Sequence, residues 1–236
     1  MLEIVYQDAD LIAINKPHGL LVHRSSIARD ATEFALQLLK TQIGRHVSPV
    51  HRLDRKTGGI LLFALNKDVE RAMHQQFMNG EVEERYLAIV RGFAPDQMDI
   101  DYPLVKENGQ IQDAFTSFQT LARAELPIPL GKHPSSRYSL VEARPTTGRM
   151  HQLRKHFAHI FHPIIGDRKH GCNKQNRFFK EQWDMTHMLL HASELSFCHP
   201  ATNSKVRIEA PVGPEFQQVM ELMGWEHQSK SVSIKL

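Results

Sequence analysis

The segment from His51 to Lys56 (HRLDRK) places a single carboxylate, Asp54, among three cationic side chains. In a partly buried site these cations would favour the ionised form of Asp54, which a nucleophile or a general base requires. Clusters of this kind are also common as structural ion pairs at the end of a strand. From the residue types alone, both interpretations stay open.

The run from 144 to 156 (RPTTGRMHQLRKH) is the second place where chemistry could occur. Its spacing predicts a helix from Arg149 to about residue 160, with His151 and Arg154 sharing one face. The inward face would carry Met150, Leu153 and Phe157. Backbone N–H groups at the start of such a helix, beside Arg149, suit a phosphate. A solvated basic face is the alternative.

Charge is concentrated in residues 144–180. This segment holds nine Lys or Arg and one acid, Asp167, and so has a net charge of +8, whereas the whole chain has +3 and the remaining residues −5. A basic stretch of this kind is the electrostatic footprint of a protein that binds a polyanion. The near-neutral total therefore does not exclude a nucleic acid partner.

Five histidines, at 151, 156, 159, 162 and 170, lie in the same basic segment. Their spacing matches neither HExxH nor a two-Cys, two-His zinc pattern, so we expect no metal, and a metal hydrolase is a distant alternative. No glycine-rich phosphate loop, dinucleotide fingerprint or GxSxG motif occurs, so we expect no nucleotide cofactor. Tyr86 lies among apolar neighbours, and a tyrosine of the hydrophobic core is its simplest interpretation.

The elements that must position these residues follow from periodicity and turn signals. We predict a hairpin of strands 3–7 and 11–16, a helix 31–43 after the capping pair Asp30 and Glu33, and a buried strand 59–65. A helix capped by Asp68 and strands at 84–91, 114–121 and 137–143 follow, with a turn at Asn108-Gly109. The tail predicts strands flanking 200–204 and a helix at 215–223. Residues 167–186 are expected to be a long polar loop.

This order predicts an α+β protein with a mixed, mostly antiparallel central β-sheet flanked by helices. The chain has 41% hydrophobic and 23% charged residues, no apolar run of 18 residues and an acidic start, so we expect a cytoplasmic protein. A monomer is expected, with one domain over residues 1–236.

Four blocks in this order resemble the pseudouridine synthases of the family that modifies uridines in ribosomal and transfer RNA. They are Asn15-Lys16-Pro17-His18-Gly19, His51-Arg52-Leu53-Asp54 with Thr57, Arg85-Tyr86, and Thr147–Arg154 followed by His162-Pro163 and Gly166-Asp167. The family usually has Ser where Gly58 stands. Lys169-His170-Gly171 resembles the branch that acts on uridine 65 of transfer RNA, and the lack of an additional N-terminal RNA-binding domain fits that branch.

The resemblance implies a pseudouridine synthase fold and a base-flipping isomerase that needs no cofactor. It implies that Asp54 is the catalytic carboxylate, that Arg154 pairs with it, that Tyr86 stacks on the uracil and that Arg52 fills the vacated space. The basic segment would grip phosphates through Arg149, Lys155, Arg168 and Lys169. Two alternatives are a ribosomal RNA substrate and, in another class, a non-catalytic RNA-binding or chaperone protein.

Overall fold

A ten-stranded sheet runs through the part of the chain that the computed structural model describes, which is residues 1–23, 32–130 and 133–225. Its strands are β1 (Glu3–Gln7), β2 (Leu11–Lys16), β3 (Ser48–Pro49), β4 (Gly58–Ala64), β5 (Glu83–Arg91), β6 (Gln97–Asp101), β9 (Phe115–Leu126), β10 (Ser136–Pro145), β11 (Leu190–Cys198) and β12 (Lys205–Glu209). A separate hairpin pairs β7 (Leu104–Val105) with β8 (Ile111–Gln112).

The main path through the sheet is β1-β2-β4-β11-β5-β10-β9-β6, with β3 beside β4 and β12 beside β11. The short pairing of β4 with β11 is parallel, and the other pairings of this sheet are antiparallel. Within the described ranges, five helices accompany it: α1 (Ala35–Ile43), α2 (Lys67–Asn79), α3 (Gln152–His159), α4 (Asn173–Trp183) and α5 (Pro214–Leu222). The α+β prediction with a mostly antiparallel sheet is confirmed.

Strands β2 and β4 are apolar over Leu11–Ile14 and Ile60–Ala64 because helices cover both of their faces. Ile12 and Ile14 belong to the cluster that contains buried residues of α1 and α3, whereas Leu11 and Ala13 belong to the cluster that contains those of α2. Since successive side chains of a strand point to opposite faces, a strand between two helical layers needs no polar positions. This arrangement fixes β2 and β4 as the rigid centre beneath the loop that carries Asp54.

Several predicted boundaries differ from the structure. Helix α1 begins at Ala35, and Asp30 of the expected capping pair lies outside the described residues. The cap of α2 is Asn66, whose side-chain oxygen accepts a hydrogen bond from the Val69 N–H at 2.9 Å. The prediction of Asp68 as the cap is wrong. The N-cap residue comes directly before the first helical residue, which is Lys67, so Asp68 already lies within the first turn.

Helix α3 begins at Gln152 and not at Arg149. The side-chain oxygen of Gln152 accepts the Arg149 N–H at 3.1 Å and the Thr147 hydroxyl at 2.6 Å, so residues 147–151 form a turn. Met150, predicted to face inward, lies in this turn with an exposure of 43%. The start of α3 therefore lies three residues beyond Arg149.

The predicted long loop 167–186 contains helix α4. A buried glutamine, Gln175, accepts the Tyr138 hydroxyl at 2.7 Å, and Phe179 packs into the third hydrophobic cluster. The apolar pattern of α4 is interrupted because Gln175, a polar residue, occupies a buried position of the helix. Within the described residues, no helix is both long and apolar enough to span a bilayer.

Strand β11 is inserted between β4 and β5, and Gly59 makes this insertion possible. Gly59 has φ +104°, and a Cβ atom there would lie 2.2 Å from the carbonyl oxygen of Ala192 in β11. Only glycine combines this backbone conformation with so close an approach of two chains. The first residues of β4, which follow the Asp54 loop directly, are thereby fixed against β11.

We predict that Gly59→Ala lowers the free energy of unfolding by about 3 kcal/mol or more, because both the φ angle and the contact with Ala192 become unfavourable. Gly44→Ala is the matched control. Gly44 has φ +65° with open space around it, so its substitution should cost only about 1 kcal/mol. Urea unfolding of both variants measures the difference. Equal losses in the two would contradict the close packing of β4 on β11.

Candidate active site

Asp54 lies in the loop between β3 and β4, with 20% of its side chain exposed. The Thr57 N–H donates to the Asp54 carbonyl at 3.0 Å and closes a turn. The ammonium group of Lys16, at the end of β2, donates to the carbonyls of Pro17, Leu20 and Arg55 at 2.9–3.3 Å. These contacts attach the loop of Asp54 to the central strand β2.

Lys16 is only 1% exposed. Its burial lowers its pKa to about 7, although the nearby charge of Asp54 acts in the opposite direction. A buried ammonium is tolerated when its N–H groups are hydrogen-bonded, as they are here. Lys16 therefore supports the loop through its carbonyls and adds positive charge beneath Asp54.

Arg154, in the first turn of α3, joins two carboxylates. Its Nη1 donates to Asp54 Oδ2 at 3.0 Å, while its Nε and Nη2 donate to the two oxygens of Asp167 at 2.7 and 2.8 Å. Burial lowers the pKa of Arg154, but the hydrogen bonds and charges of Asp167 and Asp54 outweigh burial and raise it. The paired guanidinium is thus a permanent cation held against one oxygen of Asp54.

One histidine stands beside the same oxygen, and a second histidine contacts the first. His151 Nε2 lies 3.7 Å from Asp54 Oδ2, and His151 Nδ1 lies 2.9 Å from Nε2 of His170. Burial lowers the pKa of His151 to about 4, with Asp54 acting to raise it, so the ring is neutral at physiological pH. Among the described residues, the other oxygen, Asp54 Oδ1, makes no hydrogen bond or ion pair. The site thus holds one carboxylate oxygen and leaves the other available.

Tyr86, on β5, is buried and its hydroxyl donates to Glu84 Oε1 at 2.8 Å. Glu84 lies two residues earlier on the same face of the strand, and its Oε1 is 4.0 Å from Nδ1 of His51. Burial, followed by the charge and hydrogen bond of Glu84, raises the pKa of Tyr86 well above 10. The phenol is therefore neutral and keeps its hydrogen at physiological pH.

The other predicted site residues lie at or near the surface. Arg52, Arg168 and Lys169 are exposed, and the last two directly follow Asp167. Arg149 and Lys155 donate to the backbone carbonyls of Asp113 and Val105.

Burial, followed by the charges of Arg168 and Arg154, lowers the pKa of Lys56, so cations from the two predicted motifs lie near one another. Within the described residues, no group of three or more His, Cys, Asp or Glu is arranged to hold a metal ion.

Sequence reasoning gave no role to four residues that complete the site, namely Lys16, Glu84, Asp167 and His170. Asp167 had a usable signal because it is the one acid in a segment with nine cations. Glu84 also had one, since it precedes Tyr86 by two positions in a predicted strand. The contacts of Lys16 and His170 depend on loops brought together by the fold, and no spacing reveals them.

We predict that Asp167→Asn lowers the free energy of unfolding at pH 7 by about 3 kcal/mol, because it removes a buried charge partner of Arg154. Burial raises the pKa of Asp167, but the hydrogen bonds from Arg154, His170 and Lys169 outweigh it and lower the pKa. A carboxyl with a depressed folded-state pKa contributes stability above its unfolded pKa, about 4. The difference between wild type and variant should therefore shrink as the pH falls below about 4.

Urea unfolding at pH 7 and at pH 3 measures both quantities. Asp99→Asn is the control, because Asp99 is exposed on β6, and we expect it to change the free energy of unfolding by less than about 0.5 kcal/mol. A loss caused by Asp167→Asn that is as large at pH 3 as at pH 7 would contradict the charge pairing.

The chain is similar to known proteins in both sequence and structure. Residues 10–159 match the family model described as RNA pseudouridylate synthase. The chain is 47% identical to the tRNA pseudouridine synthase C of Haemophilus ducreyi and 46% identical to that of Vibrio vulnificus, in each case over 95% of this chain and 96% of the relative.

Among solved structures, human RNA Pseudouridylate Synthase Domain Containing 4 superposes with a TM-score of 0.73 at 25% identity, over 95% of this chain and 94% of that one. The expected pseudouridine synthase fold is confirmed. The matched stretch, residues 10–159, includes Asp54, Tyr86 and Arg154 of this site. The chain belongs to the RNA pseudouridylate synthase family.

Proposed function

We propose that this protein converts a uridine in a stem of transfer RNA, uridine 65, to pseudouridine, with Asp54 as the catalytic carboxylate. The observation that carries the proposal concerns the carboxylate of Asp54: Arg154 holds one oxygen, and the other has no hydrogen bond among the described residues. The charge of Asp54 also acts on the buried Tyr86. The relatives named tRNA pseudouridine synthase C, which align over nearly the whole chain, support the choice of transfer RNA.

The reaction breaks the N1–C1′ bond of uridine, turns the detached ring and joins C5 to C1′. Product and substrate are isomers, so no oxidant, reductant or energy source is needed. One carboxylate suffices, by analogy with the carboxylates that act at glycosidic carbons. Asp54 Oδ1 is the oxygen that would face the nucleotide. Arg154 keeps the carboxylate ionised and oriented through Oδ2.

Tyr86 would present its ring to the uracil as a stacking surface. Since its phenol is neutral and donates to Glu84, it can take up the proton from C5 only by passing its own hydrogen to Glu84. The acceptor of that hydrogen would be the carboxylate of Glu84, whose Oε1 lies 2.8 Å from the tyrosine oxygen. Stacking itself needs no proton transfer and is the role to which we assign Tyr86.

A uridine within a stem must leave its stack before Asp54 can reach it, at a cost of a few kcal/mol. Arg52 is exposed next to the catalytic loop, where it can fill the space that the base vacates. Arg149, Lys155, Arg168 and Lys169 would neutralise phosphates and position the stem without reading its sequence. A monomer that acts in the cytoplasm without a cofactor remains our expectation from the sequence.

The catalytic assignment predicts that Asp54→Asn abolishes tritium release from transfer RNA that carries 5-tritiated uridine, with a loss of at least about a thousandfold. The amide keeps the shape of the side chain but removes its nucleophilicity and basicity. Asp68→Asn is the control, because Asp68 forms an exposed pair with Arg71 on α2, and it should leave the rate unchanged. Undiminished release by Asp54→Asn would disprove the assigned role.

The substrate assignment predicts that cells lacking the gene lose pseudouridine at position 65 of their transfer RNA and keep it elsewhere. Mapping of pseudouridines in transfer and ribosomal RNA, with and without the gene, measures this. Restoration by the wild-type gene but not by Asp54→Asn would tie the modification to this site. Loss of a pseudouridine from ribosomal RNA alone would replace the proposed substrate with the ribosomal one.

A further inference from the structure

A pair of histidines links the catalytic loop to the turn after Asp167. His151 immediately precedes α3, and His170 belongs to residues 167–171. Their ring nitrogens, Nδ1 of His151 and Nε2 of His170, are 2.9 Å apart, and the rings meet edge to face at 74°. The remaining nitrogen of His151 points at Asp54 Oδ2 from 3.7 Å. The three side chains therefore form a row that ends at the proposed catalytic carboxylate.

The protonation of this row follows from the hydrogen bond between the rings. A neutral imidazole has one N–H, so one ring nitrogen must donate and the other accept. If His151 donated from Nδ1, the lone pair of its Nε2 would face the carboxylate of Asp54, which is repulsive. If His170 donates from Nε2, the hydrogen of His151 resides on Nε2 and faces Asp54. Electrostatics favours the second arrangement.

Both histidines are held in place by the surrounding backbone. The His170 N–H donates to Asp167 Oδ1 at 3.1 Å, so the carboxylate that orients Arg154 also orients His170. A Cβ atom at Gly171 would lie 2.1 Å from the Asp167 carbonyl oxygen, which shows how tightly this turn is closed. His151 has φ +57°, a left-handed conformation that is uncommon for residues other than glycine and is found at functional sites.

We propose that His170 is a positioning residue that holds His151 in the tautomer with its hydrogen on Nε2, and that this N–H orients Asp54 together with Arg154. The separation of 3.7 Å is too long for a hydrogen bond in the free protein. Hydrogen bonds of catalytic groups often shorten when the substrate binds, and a small rotation of either side chain would bring these atoms into range. The inference rests on the proposed role of Asp54.

This arrangement explains why Asp54 needs two partners on the same oxygen. Arg154 fixes the direction of one N–H because Asp167 holds its guanidinium plane, but a single contact leaves the carboxylate free to rotate about it. A second donor from His151 would define the carboxylate plane and thereby aim Oδ1 at the nucleotide. Misalignment of a reacting atom lowers the rate even when binding is unchanged.

The test compares His170→Phe, which keeps an aromatic ring but has no donor, with His170→Gln, whose side-chain amide can donate from a similar position. Tritium release from 5-tritiated transfer RNA should show a kcat about tenfold lower for His170→Phe, with KM within about twofold of wild type. His170→Gln should restore kcat to within about twofold. Nitrogen-15 NMR of the imidazole rings should show neutral His151 with its hydrogen on Nε2 in wild type, and as a mixture of the Nε2–H and Nδ1–H tautomers in His170→Phe.

A hydrogen on Nδ1 of His151 in the wild-type protein would overturn the proposal, even if a variant failed to fold. Wild-type kcat in His170→Phe, or equal losses in His170→Phe and His170→Gln, would do the same. Failure of the proposed function has a different signature, because the wild-type protein would then release no tritium while the tautomer of His151 could still be read from its spectrum.

Discussion

The buried guanidinium of Arg154 is the constraint on which the rest of the site depends. Its side chain is 7% exposed, so its charge must be matched within the protein. Asp167 matches it with two nearly parallel hydrogen bonds, which fix the plane of the guanidinium and direct the remaining N–H at Asp54. Asp167 in turn accepts the backbone N–H groups of Lys169 and His170.

Asn176, on α4, donates to the Asp167 carbonyl and accepts from the Gly166 N–H, both at 2.8 Å. One ion pair thus sets the relative positions of α3, α4 and the loop that carries Asp54. On the other side of that loop, Lys16 supplies hydrogen bonds to three carbonyls from β2. Asp54 is therefore held between two buried basic side chains, one bonded to its carboxylate and one to the backbone around it. The cations that surround this centre make it attractive to a phosphate backbone.

Sequence patterns predicted well the features that depend on local rules. Strands 3–7 and 11–16 have the bounds that alternation and turn residues indicated. The start of α3 could not be predicted, because it depends on hydrogen bonds from Thr147 and Arg149 to the side chain of Gln152. Helix α4 escaped prediction because Gln175 occupies a buried position where an apolar residue is expected.

The hydrogen bond between Arg154 and Asp54 joins residues 100 positions apart. Periodicity describes only neighbours along the chain, so it cannot predict this contact. Resemblance to a family supplied this pair, together with Tyr86, but it gave no role to Glu84 or His170. Glu84 contacts Tyr86 because both lie on one face of β5, and His170 reaches His151 because the turn after Asp167 is closed. The physical details that govern protonation at the site therefore required the structure.

The insertion of β11 between β4 and β5 has a consequence for how the chain acquires activity during synthesis. Strand β4 is complete at residue 64 and β5 at residue 91, but the strand that joins them ends at residue 198. At a translation rate of about 5–20 residues per second, β4 and β5 each lack their hydrogen-bonding partner β11 for at least several seconds. Arg154, which bonds Asp54, and Asp167, which bonds Arg154, also emerge during this interval. A nascent chain can thus carry the complete Asp54 loop before it carries the side chains and the strand that hold the carboxylate in place.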